Sequence, residues 1–181
     1  MKEGTLSVRK IVLAAVLSAI AILLGWTRLG FIPVPTPAGN ATIMHVPAII
    51  GGVMEGGLVG GLVGTLFGLF SFLQATVPMF KDPLVAVLPR ILIGVTAWLA
   101  YAGLKRVNEY LALVVSAAVG TLTNTIGVLT MAVLRGYMAP GVAWTVGLTH
   151  GLPEIVVAAI LTVAIVAAWK RVETGRGEAK M

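Results

Sequence analysis

The chain has 181 residues, of which 58% are hydrophobic and only 11% are charged. A mean hydropathy of +1.00 excludes a soluble surface, so the composition predicts an integral membrane protein. The absence of cysteine excludes a disulfide framework, a thiolate metal site and a cysteine nucleophile. The net charge of +6 must then be interpreted by its position relative to the membrane, and nucleic acid is not an expected partner.

Six apolar segments predict the helices of a single all-α membrane domain that covers residues 1–181. Crossing about 30 Å of hydrocarbon takes about 20 helical residues, because each residue adds about 1.5 Å. Five segments are long enough to cross, whereas the second is short, contains His45 and Pro47, and is predicted to be a short or broken helix. In chain order the predicted helices are about 9–26, 41–54, 57–77, 84–104, 110–135 and 144–170.

The basic residues predict the orientation of these helices. With six crossings, nine Lys and Arg residues fall on one side of the membrane and four on the other. The positive-inside rule makes the richer side cytoplasmic, and both termini lie on it. A cleaved signal peptide is disfavoured for the first segment, because its removal would leave five crossings and separate the termini.

Five polar or ionisable residues lie inside the apolar segments. An arginine at mid-helix costs roughly 2.5 to 3.5 kcal/mol on insertion scales, so such residues usually face a cavity, a partner or a substrate path. Counted from the outer end of each helix, all five fall in the outer half of the bilayer. The pattern predicts one pocket that opens outward, formed by His45, Arg90, Asn124, His150 and Glu154.

Each of these residues also has a purely structural explanation. Arg90 could pair with Glu154 and lock two helices together, which would leave the cavity nearly neutral. His45 could be a packing residue, and Asn124 could hydrogen bond between helices together with its neighbouring threonines. A metal site is not expected, because His45, His150 and Glu154 would supply three ligands from two helices without a spacing motif.

Small residues form regular patterns on two helices. Gly60, Gly64 and Gly68 recur at four-residue spacing in the third segment, which predicts close backbone packing inside the protein. Ala15 and Ala19 form a weaker small-xxx-small pattern in the first segment. These alanines could face a helix of the same chain or of another subunit.

The sequence offers no catalytic constellation. It lacks the HExxH, GxSxG and Walker A patterns, and Asp82 is its single aspartate. Paired acids for Mg²⁺ and phosphate chemistry are therefore missing, and neither a catalytic residue nor a cofactor is assigned. A transporter subunit without its own ATPase is favoured over the alternatives of another class, a membrane enzyme or a ligand-free assembly protein.

Four motifs carry a resemblance to a known family: His45-Val46-Pro47-Ala48-Ile49-Ile50-Gly51-Gly52, Asp82-Pro83-Leu84-Val85-Ala86-Val87-Leu88-Pro89-Arg90, Thr123-Asn124-Thr125 and Gly151-Leu152-Pro153-Glu154. With them the chain resembles the S components, the substrate-binding membrane subunits of energy-coupling factor (ECF) vitamin transporters. The pantothenate branch is the most similar, while pyridoxine, folate and cobalamin relatives share parts of the pattern and stay as alternatives.

The resemblance implies a six-helix bundle in the cell membrane of a prokaryote, with a vitamin site capped by the loop between the first two helices. It also implies a membrane scaffold subunit and two ATPase subunits as partners, with Ala15 and Ala19 docking on the scaffold. Delivery would occur by toppling, in which the loaded subunit rotates in the membrane.

Our leading hypothesis is capture of pantothenate, because a cation, an amide and an imidazole lie at similar depth. Arg90 is expected to face the carboxylate, and Asn124 and His150 the hydroxyls and the amide. Trp26 or Phe31 is expected on the cap.

Overall fold

A bundle of helices with one small sheet forms the structure, a computed structural model that describes residues 7–36 and 39–178. The strands β1 and β2 form an antiparallel hairpin between the first two helices. A 3-10 turn at Pro78–Lys81 precedes the broken fourth segment. The elements are α1 (Val8–Trp26), β1 (Phe31–Thr36), β2 (Gly39–Thr42), α2 (Val46–Glu55), α3 (Gly57–Leu73), α4 (Pro83–Ala86), α5 (Leu88–Leu104), α6 (Glu109–Leu134) and α7 (Pro140–Glu178).

Four described segments are long and apolar enough to cross a membrane: Val8–Trp26, Pro83–Leu104, Glu109–Leu134 and Pro140–Glu173. The helices α2 and α3 are apolar but shorter. With ten residues, α2 extends only about half the thickness of the hydrocarbon, and its residues from Val46 to Val53 are all buried. The protein is thus a multi-pass, mainly helical membrane protein, while six crossings and cytoplasmic termini stay predictions.

The loop between the first two helices contains a short hairpin that the sequence did not predict. The second helix is predicted to begin at residue 41, but residues 39–42 form β2. Phe31 pairs with Thr42 across the hairpin. The helix α2 begins at Val46, and Pro47 lies in its first turn. Proline is tolerated there because the first N–H groups of a helix have no partner within the helix. Prolines in β1 are tolerated because a strand of a two-stranded sheet has a free edge.

The fourth and sixth segments also differ from the predicted helices. The segment predicted over 84–104 is divided into α4 and α5, because Pro89 in the first turn of α5 cannot continue a preceding helix. The last helix, α7, is longer than the predicted 144–170 and continues through Pro153.

Glycines allow α2, α3 and α5 to touch through their backbones. A Cβ atom added at Gly60 would lie 2.7 Å from the Cα atoms of both Gly52 and Gly94. Real Cβ atoms essentially never approach other heavy atoms more closely than 3.0 Å. One turn later, a Cβ atom at Gly64 would overlap the carbonyl oxygen of Arg90. The predicted packing role of the glycine stripe is confirmed, and the stripe fixes the start of α5 against α3.

Ion pairs join the helix ends at the opposite end of the bundle from the hairpin. Arg9 binds Glu55 and Glu173, at 2.7 Å in each case, and so connects α1, α2 and α7. Lys170 pairs with Glu109, which also accepts a hydrogen bond of 3.0 Å from the Tyr101 hydroxyl. These contacts connect α5, α6 and α7.

Replacing Gly64 with alanine should lower stability, because the new methyl group would overlap the backbone of α5 at Arg90. Overpacking of this kind costs about 1 to 3 kcal/mol, which corresponds to a melting temperature several degrees lower in a chain of this size. Thermal unfolding in detergent measures the change. In the control Gly103→Ala, where no heavy atom lies within 4 Å, the melting temperature should stay equal or rise. Equal melting for both variants would contradict the packing role.

Candidate substrate-binding site

A cavity of about 580 Å³ lies at the hairpin end of the bundle. Its size is in the range of small-molecule sites. The hairpin contributes Phe31, Asn40 and Thr42 to its wall, and the remaining wall comes from helices, the 3-10 turn and connecting loops. The wall combines aromatic side chains with a few converging polar groups, which is the usual composition of a site for a small organic molecule.

Six of the seven residues predicted to contact substrate line this cavity: Trp26, Phe31, Arg90, Asn124, His150 and Glu154. They come from α1, β1, α5, α6 and α7, so the fold brings together residues that are far apart in the chain. The four polar residues of the set are each at most 7% exposed. Buried polar side chains around a cavity are typical of a binding site.

His45, the seventh, lies in the interior beside α6 rather than in the cavity wall. Its side chain is completely buried, and its Nε2 atom is 2.9 Å from the hydroxyl of Thr121. This contact joins the start of α2 to the middle of α6. The packing role, which the sequence left open, fits this position.

The guanidinium of Arg90 is held by aromatic rings and one carbonyl group. Its central carbon lies 5.1 Å from the ring centre of Phe80 and 5.7 Å from that of Phe67. One nitrogen donates to the carbonyl oxygen of Val85, whereas the buried Nε atom has no hydrogen-bond partner among the described residues. Because buried donors are nearly always paired, this arrangement leaves a position for an acceptor from a ligand.

Glu154 does not neutralise Arg90 by direct contact. Its Oε1 atom accepts the backbone N–H of Thr42 at 2.6 Å, and its Oε2 atom accepts the hydroxyl of Thr125 at 3.2 Å. The ion pairs of the described residues do not include one between Arg90 and Glu154. The cavity therefore contains a cation without a direct ion-pair partner among the described residues.

Asn124 adds a second incompletely bonded group. Its Oδ1 atom is buried and has no partner within the described part of the chain. A buried acceptor in this state costs about 1 to 3 kcal/mol, which a ligand donor would remove. His150 lies in the same wall, so acceptor and imidazole groups stand beside the cation in one cavity.

Comparisons with known proteins identify the family of this chain. Residues 9–166 match the family described as ECF transporter, substrate-specific component. The chain is also 30% identical over 154 residues to the pantothenic acid transporter PanT of Lactococcus lactis subsp. cremoris, which covers 70% of this chain and 76% of that protein. The chain belongs to the family of ECF transporter substrate-specific components. The resemblance to S components is thereby confirmed, and the protein is a substrate-binding subunit of a membrane transport system.

Sequence reasoning missed several wall residues of this S component, notably Phe67, Met79 and Phe80. Phe67 follows Gly64 by three residues and precedes Gly68, so its helical spacing places it on the same face as the glycine stripe. That spacing could have identified it. Met79 and Phe80 lie in the 3-10 turn, where no hydrophobic period exists to assign a direction.

Asp82 anchors the segment that supplies Met79 and Phe80. Its Oδ1 atom caps α4 by accepting the N–H of Leu84 at 3.0 Å, and its Oδ2 atom accepts from Arg135 at 2.6 Å. The hydrogen bond from the Arg135 guanidinium lowers the pKa of Asp82 below its ordinary value of 3.8. The pair ties this segment to the end of α6.

The Asp82–Arg135 pair predicts a pH-dependent stability. Because the pKa of Asp82 is lowered in the folded S component, the pair should stabilise it fully above about pH 4 and progressively less as the pH falls through the folded pKa. Arg135→Gln should therefore lower the melting temperature at pH 7, and its difference from the unmodified protein should shrink toward pH 3. Thermal unfolding in detergent across this range tests the prediction.

The exposed cation Lys81 provides the control for this experiment. Lys81→Gln removes the same charge close by and should leave the melting temperature nearly unchanged at both pH values. An Arg135→Gln difference that stays constant between pH 7 and pH 3 would contradict the role of the Asp82 charge.

Proposed function

We propose that this S component captures pantothenate from the outside of the cell and delivers it to an ECF scaffold subunit with two ATPase subunits. The observation that carries the proposal is the buried guanidinium of Arg90 in the wall of the cavity, which has no ion-pair partner among the described residues and one donor without a hydrogen bond. The similarity to a pantothenic acid transporter supports the same choice of substrate. The chain then acts as a binding subunit, and ATP hydrolysis occurs in its partners.

The chemical groups of pantothenate match those of the cavity. Its carboxylate would accept from Arg90, and charge-assisted bonds of this kind are roughly twice as strong as neutral ones. Its hydroxyls and amide would bond to Asn124 and His150. Its dimethyl group would lie against the aromatic wall, with Trp26 and Phe31 on the cap side.

A neutral vitamin such as pyridoxine would be favoured if Arg90 were paired with Glu154. Since Glu154 instead bonds to Thr42 and Thr125, a neutral ligand would leave the buried cation without a direct ion-pair partner among the described residues. An anionic vitamin is therefore preferred, and folate remains the anionic alternative.

Isothermal titration of the purified protein with pantothenate should give tight binding that depends on Arg90. Arg90→Ala should weaken it by roughly 10- to 100-fold, because a hydrogen bond to a charged group contributes about 1.5 to 3 kcal/mol. Arg90→Lys should weaken it less, since it keeps the charge but loses the planar donor geometry.

The matched control for this titration is Lys81→Ala, which removes an exposed cation outside the cavity wall and should bind pantothenate normally. Melting temperatures of all variants without ligand identify any that fail to fold. Absence of pantothenate binding by the unmodified protein, with binding of folate or pyridoxine instead, would overturn the choice of substrate.

The exposed face of α1, which points away from the bundle, is proposed as the docking surface for the scaffold. Ala15 and Ala19 are both exposed, and larger apolar residues such as Val12 and Val16 flank them. Small residues on an exposed helix face let another helix approach closely. In this proposal the loaded subunit then topples, so that the cavity turns toward the cytoplasm.

Ala15→Trp should abolish pantothenate uptake by cells that contain the whole transporter, because the indole would hold the scaffold helix away. Binding by the purified subunit should be unchanged. The control Ala164→Trp places the same side chain on an exposed position of α7 and should leave uptake intact. Normal uptake with Ala15→Trp would contradict the docking role.

A further inference from the structure

The carboxylate of Glu154 is occupied by protein groups on both of its oxygens. Oε1 accepts the N–H of Thr42 at the end of β2, and Oε2 accepts the hydroxyl of Thr125 on α6. The residue is only 4% exposed although it lies in the cavity wall. A single side chain of α7 therefore connects the hairpin with two helices of the bundle.

Thr42 is the base of the hairpin. It pairs with Phe31 across the two strands, and its hydroxyl accepts the N–H of Met44 at 3.1 Å. The next residue, Ile43, donates to the carbonyl oxygen of Gly30 at 2.9 Å, which closes the base from the other side. Whatever holds Thr42 therefore also holds the strands that bring Phe31 and Asn40 to the cavity.

The electrostatics of the cavity argue against Glu154 as a direct ligand of an anionic substrate. A negative carboxylate repels another carboxylate, and here both oxygens already accept hydrogen bonds from the protein. Arg90, in contrast, is a cation with a buried donor left over. Arg90 can therefore bind an anionic substrate directly, whereas Glu154 can hold only the protein groups that it already bonds.

We propose that Glu154 is a positioning residue of the cap: it fastens the base of the hairpin to α6 and α7 and thereby limits how often the cavity opens. The role in substrate access rests on the proposed function, whereas the attachment itself does not. Glu154 acts through its hydrogen bonds to the cap and not through a bond to the substrate.

The absence of cysteine makes this attachment measurable without any ligand. Ser71 lies in the cavity wall, so Ser71→Cys introduces a single thiol whose labelling by a membrane-impermeant maleimide reports access to the cavity. In this background, Glu154→Ala should raise the labelling rate about tenfold, because a bond to a charged acceptor is lost. Thr125→Val, which removes one of the two bonds, should give an intermediate rate.

Glu154→Gln separates hydrogen bonding from charge. The amide keeps an acceptor for the N–H of Thr42, and the Thr125 hydroxyl can turn to accept from its amino group. The labelling rate should then stay within about threefold of the parent rate. If the charge alone mattered, Glu154→Gln would behave like Glu154→Ala.

The control is a thiol at Ala139, an exposed position outside the cavity wall, whose labelling rate should be the same in every background. Equal Ser71→Cys labelling with and without Glu154→Ala would overturn the proposal, as would equal rates for Glu154→Ala and Glu154→Gln. Should Glu154→Ala melt below the labelling temperature, the comparison of Thr125→Val with Glu154→Gln decides. Since no vitamin is present, a failure of pantothenate binding would leave these rates interpretable.

Discussion

The direct backbone contact of α2, α3 and α5 is the constraint on which the binding site depends. Side chains at Gly52, Gly60 or Gly94 would separate these helices, because an added Cβ atom would lie inside the neighbouring backbone. The same stripe continues to Gly64 and ends beside the Cβ atom of Arg90 at Gly68. The glycines thus determine the position of the cation in the cavity wall, although none of these five glycines lines the cavity.

The cation at that position is stabilised only in part. Two aromatic rings and the carbonyl of Val85 surround the guanidinium of Arg90, and cation–π contacts contribute up to about 2 kcal/mol when they are shielded from water. One buried donor remains, and Glu154 is held elsewhere by Thr42 and Thr125. Because Glu154 bonds to Thr42 and Thr125 and forms no direct ion pair with Arg90 among the described residues, the cavity keeps a place for an external anion.

Depth along a helix could be predicted from the sequence, whereas direction around it could not. The constant helical rise placed Arg90, Asn124 and Glu154 at one height, and they line one cavity. His45 has a similar depth but points toward Thr121. A hydrophobic period would show which face of α2 is directed to the cavity, but α2 has no such period because nearly all of its residues are buried.

The hairpin and the 3-10 turn escaped prediction for a different reason. Strand pairing in a proline-rich loop depends on a partner segment and on the fold around it, and Phe31 is fixed by its register against Thr42. Phe80 lies in the cavity wall, and the segment that carries it is tied through Asp82 to Arg135, fifty-three residues further along the chain. Such contacts have no local signal, so neither the pairing of Arg90 nor its aromatic surroundings could be derived from spacing.

The distribution of packing supports the proposal that this subunit moves as a whole body during transport. Between the cavity and the opposite end lie fully buried side chains such as Ile49, Ile93 and Leu113, and the helix ends there are joined by ion pairs. Opening a path through this core would separate the glycine contacts and expose tightly packed apolar groups. Rotation of the intact bundle would preserve these contacts. The proposed toppling is therefore compatible with the packing of this core.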